Sequence, residues 1–224
     1  MSILAIAAHP DDEALGCAAT LARHARLGET VRILFVADGV AARPDAGAAA
    51  RPAREAMAEA AARALGAEPP VFLRLPDNRL DSLPLLDLTQ AIEAATRDWA
   101  PRVIYTHAAG DMNLDHRRVH QAVRTAFRPL PGSPVEQVLG FEVASSSEWG
   151  GPGFGPAFQP TLAVAAEATE VAAKWAALDA YAAEMRPAPH PRSRPAIEAL
   201  MRWRGASFGL EMAETFEVIR QVVR

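Results

Sequence analysis

Cysteine is almost absent from this chain. Cys17 stands alone among 224 residues, so no intrachain disulfide can form and a cysteine-built zinc centre is disfavoured. A surplus of positive charge is also lacking. Lys and Arg number 23 against 27 Asp and Glu, a formal net charge of −4. No basic stripe interleaves with aromatics, which makes nucleic acid a poor partner. No apolar run approaches the ~18 residues of a membrane span. The opening MSILAIAAHPDDE has neither the basic start nor the long apolar stretch of a signal peptide, so the cytoplasm is the expected location. Internal repeats and low-complexity segments are missing too. Half of the residues are hydrophobic, which is ordinary for a soluble globular protein. The length suits one domain, 1–224, with residues 186–224 as a C-terminal extension. A homo-oligomer stays open.

The periodicity alternates. Residues 2–8 are a short apolar run that reads as a buried strand, and residues 12–27 carry small and apolar residues at helical spacing until Gly28. Strands are expected at 30–37, 70–75 and 102–106. Helices are expected at 51–65, 84–98 and 114–127. Pro76 ends the third strand because it cannot donate to a ladder. This strand–helix order implies an α/β, Rossmann-like fold: a mostly parallel sheet with helices on both faces. Ligands of such sheets bind at the carboxyl ends of the strands. Further on, strands are expected near 135–143 and 160–165, a helix at 168–185, another near 196–204, and a last strand at 215–223. Residues 186–195 hold four prolines and cannot form a regular helix.

Two polar clusters fall at that carboxyl edge. His9-Pro10-Asp11-Asp12-Glu13 follows the first strand. Capping of the next helix explains one Asp, but three adjacent acids repel unless a cation offsets them. Imidazole and carboxylate are ordinary zinc ligands, and His9 and Asp12 lie about one turn apart. Asp11 would stay free beside the metal as a base. The second cluster, Gly110 to Arg117, enters a helix at Asp115-His116. Alone, His116 reads as a surface helix residue. With the first cluster it completes His9, Asp12 and His116, the three protein ligands of a catalytic zinc with one open position. Asp115 either hydrogen-bonds a neighbouring ligand from behind or is an acid favoured by the helix dipole.

Together these clusters resemble the PIG-L/LmbE-like zinc deacetylases. Ala8 to Glu13 matches the family's Ala-His-Pro-Asp-Asp-Glu motif, and Asp115-His116 matches its second motif. Leu73 to Asp77, Glu142 to Trp149 and Pro189 to Ser193 resemble further family segments. The resemblance implies a Rossmann-like deacetylase that removes an N-acetyl or other N-acyl group, often from a glucosamine-type sugar. It implies one zinc per chain, with Fe2+ as the alternative metal, held by His9, Asp12 and His116, and Asp11 as general base. A small N-acylated molecule is the expected partner. Residues 186–224 would reach the rim of the active site.

One position departs from the family. Many members carry a His two residues before the Asp of the Asp-His pair, where this chain has Asn113. Oxyanion stabilisation then rests on the metal with Asn113, or on another histidine. His190, in the Pro-rich segment, is the candidate, set against an ordinary loop histidine. Arg54 lies where family members contact the acyl or sugar group. Asp77 either binds sugar hydroxyls or caps a turn. Trp149 either stacks on a sugar or anchors a loop. Arg192 either meets a substrate phosphate or carboxylate or is solvated. Competing functions are an amidase of a thiol conjugate, a non-catalytic metal-binding protein and a nucleotide-binding domain. The last needs a Gly-rich turn after the first strand, and the acidic cluster occupies that turn.

Overall fold

The computed structural model describes residues 1–44, 47–151 and 153–223. Seven strands form one sheet in the order β3-β2-β1-β4-β5-β7-β6. They are β1 (Ser2–Ala7), β2 (Thr30–Ala37), β3 (Val71–Leu75), β4 (Val103–His107), β5 (Gln137–Phe141), β6 (Leu162–Ala165) and β7 (Ala213–Gln221). The first five strands run parallel, and β7 lies antiparallel between β5 and β6. The expected α/β architecture is therefore present, with an antiparallel margin on one side.

Alternate residues of β1 point to opposite faces of the sheet. Ile3, Ala5 and Ala7 enter a core covered by α1 (Asp12–Gly16), α2 (Ala18–Arg26), α3 (Ala50–Leu65), α6 (Ala168–Ala180) and α7 (Arg194–Ala206). Leu4 and Ile6 enter a second core under α4 (Leu85–Thr96) and α5 (Leu114–Ala126). Each fully buried Leu or Ile contributes roughly 1.5–3 kcal/mol. A strand buried on both faces reads as the uninterrupted apolar run that SILAIA is. Strand order reverses between β1 and β4, so the carboxyl ends of these two strands flank the crevice where ligands bind in such sheets.

Two expected helices are corrected. The helix over 12–27 breaks at Cys17 into α1 and α2. Gly16 packs so tightly on Phe141 that a Cβ there would lie 2.3 Å from the ring. The opened backbone is satisfied from far away. Glu214 on β7 accepts from the N–H groups of Ala19 and Thr20, and Lys174 on α6 donates to the Leu15 carbonyl. The helix over 168–185 ends at Ala180; Tyr181 leaves it, and a 3-10 turn at Ala182–Glu184 follows. Of the expected extension, the described residues 186–223 comprise a loop at the site, α7 and β7 with the short segments that join and follow them. Among the described residues no helix is long and apolar enough to cross a membrane.

Candidate active site

The turn after β1 carries His9 to Asp12 into a cavity of about 380 Å³. Asp11 stands at the N-cap of α1 without a side-chain capping bond, so its carboxylate serves something else. Its φ of 123° lies in the left-handed region, a costly conformation for a residue with a side chain. Asp12 folds back, its Oδ2 accepting the His9 backbone N–H at 2.8 Å.

Three donors converge. His9 Nδ1 lies 3.4 Å from Asp12 Oδ2, and His116 Nε2 lies 3.3 Å from Asp12 Oδ1. The donor atoms of His9, Asp12 and His116 all fall within 4.8 Å of one another. Ligands bound at ~2.0–2.1 Å around a tetrahedral ion stand about 3.3–3.4 Å apart. Two imidazoles, one carboxylate and these spacings fit a catalytic zinc site. Electrostatics agrees. Burial alone would lower the pKa of His116, but Asp12 and Asp111 push it up to about 9. Burial opposes the His9 shift too, and Asp115, Asp12 and Asp77 raise it well above the usual value. The cluster favours positive charge at this point.

Each imidazole is backed by a carboxylate, as metal-binding histidines usually are. His9 Nε2 lies 3.0 Å from Asp115 Oδ2 and 3.2 Å from Asp77 Oδ1. Asp115 is itself fixed by the N–H groups of Asn78 and Leu80. His116 Nδ1 lies 3.1 Å from Asp111 Oδ1. Asp111 in turn accepts from both Ser146 and Ser147 hydroxyls and from the Asn113 N–H. His9, Asp77 and Asp115 form a second group with metal-ligand spacing. It uses the His9 nitrogen that these carboxylates hold, and Asp115 lies behind the cavity wall, so the first group is the better cradle. His107 stacks on His116 at 3.9 Å between ring centroids; its Nε2 accepts from the Ala8 N–H. Burial and the neighbouring His116 keep its pKa well below the usual value, so it is a neutral platform.

Asp11 faces two arginines. Its Oδ2 lies 2.9 Å from Arg192 Nη1 and 3.1 Å from Arg54 Nη2. Burial raises its pKa, and Arg54 and Arg192 oppose that rise. Arg54 also pairs with Glu184 at 2.6 Å, which Arg43 holds from the other side. Asn113 caps α5: its Oδ1 accepts from the Asp115 N–H at 2.8 Å, leaving only the amide NH2 as a donor in the cavity.

Of the residues expected from the sequence, the cavity brings together His9, Asp11, Asp12, Arg54, Asp77, Asn113, His116 and Arg192. Asp115 sits behind His9. His190 and Trp149 do not line it. They pack edge-on at 5.8 Å beside it, Trp149 half exposed, and His190 Nδ1 accepts from the Arg192 N–H. Residues the sequence reading left unassigned are Asp111, Ser145, Ser146 and Glu184. Asp111 had a signal, an acid five residues before His116 in a Gly-led loop. Glu184 had none, since its place depends on where α6 ends.

The pattern of the PIG-L family, GlcNAc-PI de-N-acetylase, matches residues 4–127. A protein of Escherichia coli (strain K12) described as the uncharacterized deacetylase YaiS is 34% identical over 149 residues, 64% of this chain and 75% of that protein. The N,N'-diacetylchitobiose deacetylase of Pyrococcus horikoshii superposes with a TM-score of 0.77 at 17% identity, over 98% of this chain and 84% of that one. The 4-carboxy-2-hydroxymuconate hydratase of Pseudomonas putida KT2440 superposes with a TM-score of 0.73 at 18% identity, over 100% of this chain and 98% of that one. The fold therefore carries more than one reaction, and likeness of fold does not choose between them. The family match does more: it runs from within β1 to the end of α5, more than half of the chain, with both polar clusters inside it, and the chain belongs to the PIG-L family of deacetylases.

Proposed function

We propose that this chain is a zinc-dependent hydrolase that removes an N-acetyl group from a small amino-sugar substrate. The observation that carries the reading is the juxtaposition of His9, Asp12 and His116 with a carboxylate, Asp11, that none of their contacts uses. A metal held by these three residues would lower the pKa of water and polarise the amide carbonyl. Asp11 accepts the proton from the attacking water and returns it to the amide nitrogen as the C–N bond breaks, so acetate and a free amine leave. Asn113, which lines the cavity, donates from its NH2 to the developing oxyanion. The cavity wall is polar, with Asp77, Asn78 and Ser145 among its residues, which suits a polyhydroxylated substrate. The family's de-N-acetylase description and the chitobiose activity of a fold neighbour support an amino sugar. The cytoplasm is the proposed location.

The test is a screen of N-acetylated amino sugars, nucleotide sugars and aminoglycoside precursors for released acetate, with metal analysis of the purified protein. Stoichiometric zinc and acetate release are expected. Asp11→Ala should keep the metal and lose roughly 10²- to 10⁴-fold in turnover. Full activity in that variant would refute the base assignment. Hydration of an unsaturated acid with no acetate released from any amide would place the chain with the hydratase instead.

A further inference from the structure

Arg192 lies far beyond the family-matched segment, yet it touches the proposed base directly. Its guanidinium spans two acceptors. Nη1 donates to Asp11 Oδ2 at 2.9 Å, and Nε donates to Ser145 Oγ at 2.7 Å. Arg54 lies against the same Asp11 oxygen from α3. Both cations therefore hold Oδ2, which leaves Oδ1 as the oxygen for the reacting centre. Arg192 itself arrives from a fixed turn. Its own N–H donates to His190 Nδ1 at 3.0 Å, and the next residue, Ser193, caps α7.

Asp11 needs such holding. A non-glycine residue at φ 123° is strained by about 1–3 kcal/mol and keeps that geometry only when its surroundings over-determine it. Behind the chain, the Asp11 N–H donates to Glu13 Oε2 at 3.1 Å, and Glu13 Oε1 accepts from the Tyr181 hydroxyl at 2.8 Å. The backbone is thus fixed by one pair and the carboxylate by another. Tyr181 and Arg192 both come from the C-terminal third.

We infer that Arg192 is a positioning residue for Asp11, a rigid fork between Ser145 and the base, and not a contact for the substrate. The inference rests on Asp11 being the base. Only a guanidinium presents two donors in one plane at this spacing; a lysine offers a point charge and cannot make both bonds in the same geometry.

The experiment compares Arg192→Ala, Arg192→Lys and Ser145→Ala in the zinc-loaded protein, on whichever substrate the acetate screen yields. Arg192→Ala should lose roughly 10- to 100-fold in kcat, because a small misplacement of a reacting group costs that much, with KM and zinc content unchanged. Arg192→Lys should recover little of it. Guanidinium ion, added below denaturing concentration, should restore part of kcat in Arg192→Ala and nothing in the lysine variant. Ser145→Ala should lower kcat by a smaller factor, and it carries the test if Arg192→Ala fails to fold. A raised KM with normal kcat would make Arg192 a substrate contact and overturn the inference, as would normal kcat in Arg192→Ala, or in Ser145→Ala where Arg192→Ala does not fold. Asp11→Asn separates the two readings. Full activity there removes the base, and the inference with it; an inactive Asp11→Asn beside a normal Arg192→Ala removes the inference alone.

Discussion

The turn between β1 and α1 brings two candidate metal donors, the Asp11 carboxylate and its backbone support within five residues, His9 to Glu13. The C-terminal third works differently. Lys174, Tyr181, Glu184, Arg192 and Glu214 are scattered over forty residues of sequence, and each reaches back to the turn, to the helices that follow it or to a residue bound there. In the proposed reaction the first region supplies the chemistry, and the second packs against it. The difference shows in charge. Donors in the turn leave positive charge wanting at their centre, whereas each C-terminal ion already faces an opposite charge, as Lys174 faces Glu214 at 2.7 Å and Glu184 faces Arg54 and Arg43.

The comparison breaks most severely at a ligand. His116→Ala removes one of the three candidate donors and leaves Asp12 Oδ1 buried without the imidazole beside it. Zinc content measured by atomic emission should fall below one per chain, and acetate release should drop to background, while the far-ultraviolet circular dichroism stays that of the parent. Retained stoichiometric zinc would mean that the second group, His9 with Asp77 and Asp115, holds the ion.

Lys174→Met should do the reverse. Lys174 and Glu214 are each buried, and the lysine donates both to Glu214 and to the Leu15 carbonyl beside the break at Cys17. Removing one partner strands the other's charge, a cost of about 3–5 kcal/mol. Urea unfolding should show that loss, while kcat of the folded fraction stays at the parent value. A kcat that falls with stability would mean that the two regions are not separate in their effects.

Asp111→Asn probes the boundary between them. It keeps the size of the side chain but weakens the acceptor behind His116 Nδ1. Outer partners of metal ligands are worth about 10- to 100-fold in affinity, so competition with a zinc chelator should show a weaker site by that factor. An unchanged affinity would mean that Ser146, Ser147 and Asn113 hold the loop without help from the charge.

These contrasts mirror what the sequence made legible. The strands were readable because residues such as Ile3 to Ala7 are buried on both faces and leave an unbroken apolar run. The convergence of His9, Asp12 and His116 was readable because polar residues cluster in short motifs at strand ends. The break at Cys17 was not, because its partners Glu214 and Lys174 sit more than 150 residues away and local periodicity continues through it. Nor was the tie between Arg192 and Asp11, since a loop arginine looks the same whether solvated or bound. His190 and Trp149 illustrate the opposite limit: motif position suggested a role in the site, and the fold packs them against each other at its edge.

The smallest effect is expected at Ser193, where the Pro-rich segment enters α7. Its hydroxyl oxygen accepts from the Ala196 N–H at 3.3 Å, with Pro195 in the first turn, where its missing N–H costs nothing. Losing such a cap costs typically ~1 kcal/mol. Ser193→Ala should therefore lower urea stability by about that amount. The neighbouring Arg192 has its own anchors, to His190 Nδ1 through its backbone and to Ser145 and Asp11 through its side chain. If those anchors suffice, kcat stays at the parent value although the cap is gone. If kcat falls in step with stability, the fork that holds Asp11 depends on the start of α7, and the support for the proposed base extends into the first turn of that helix.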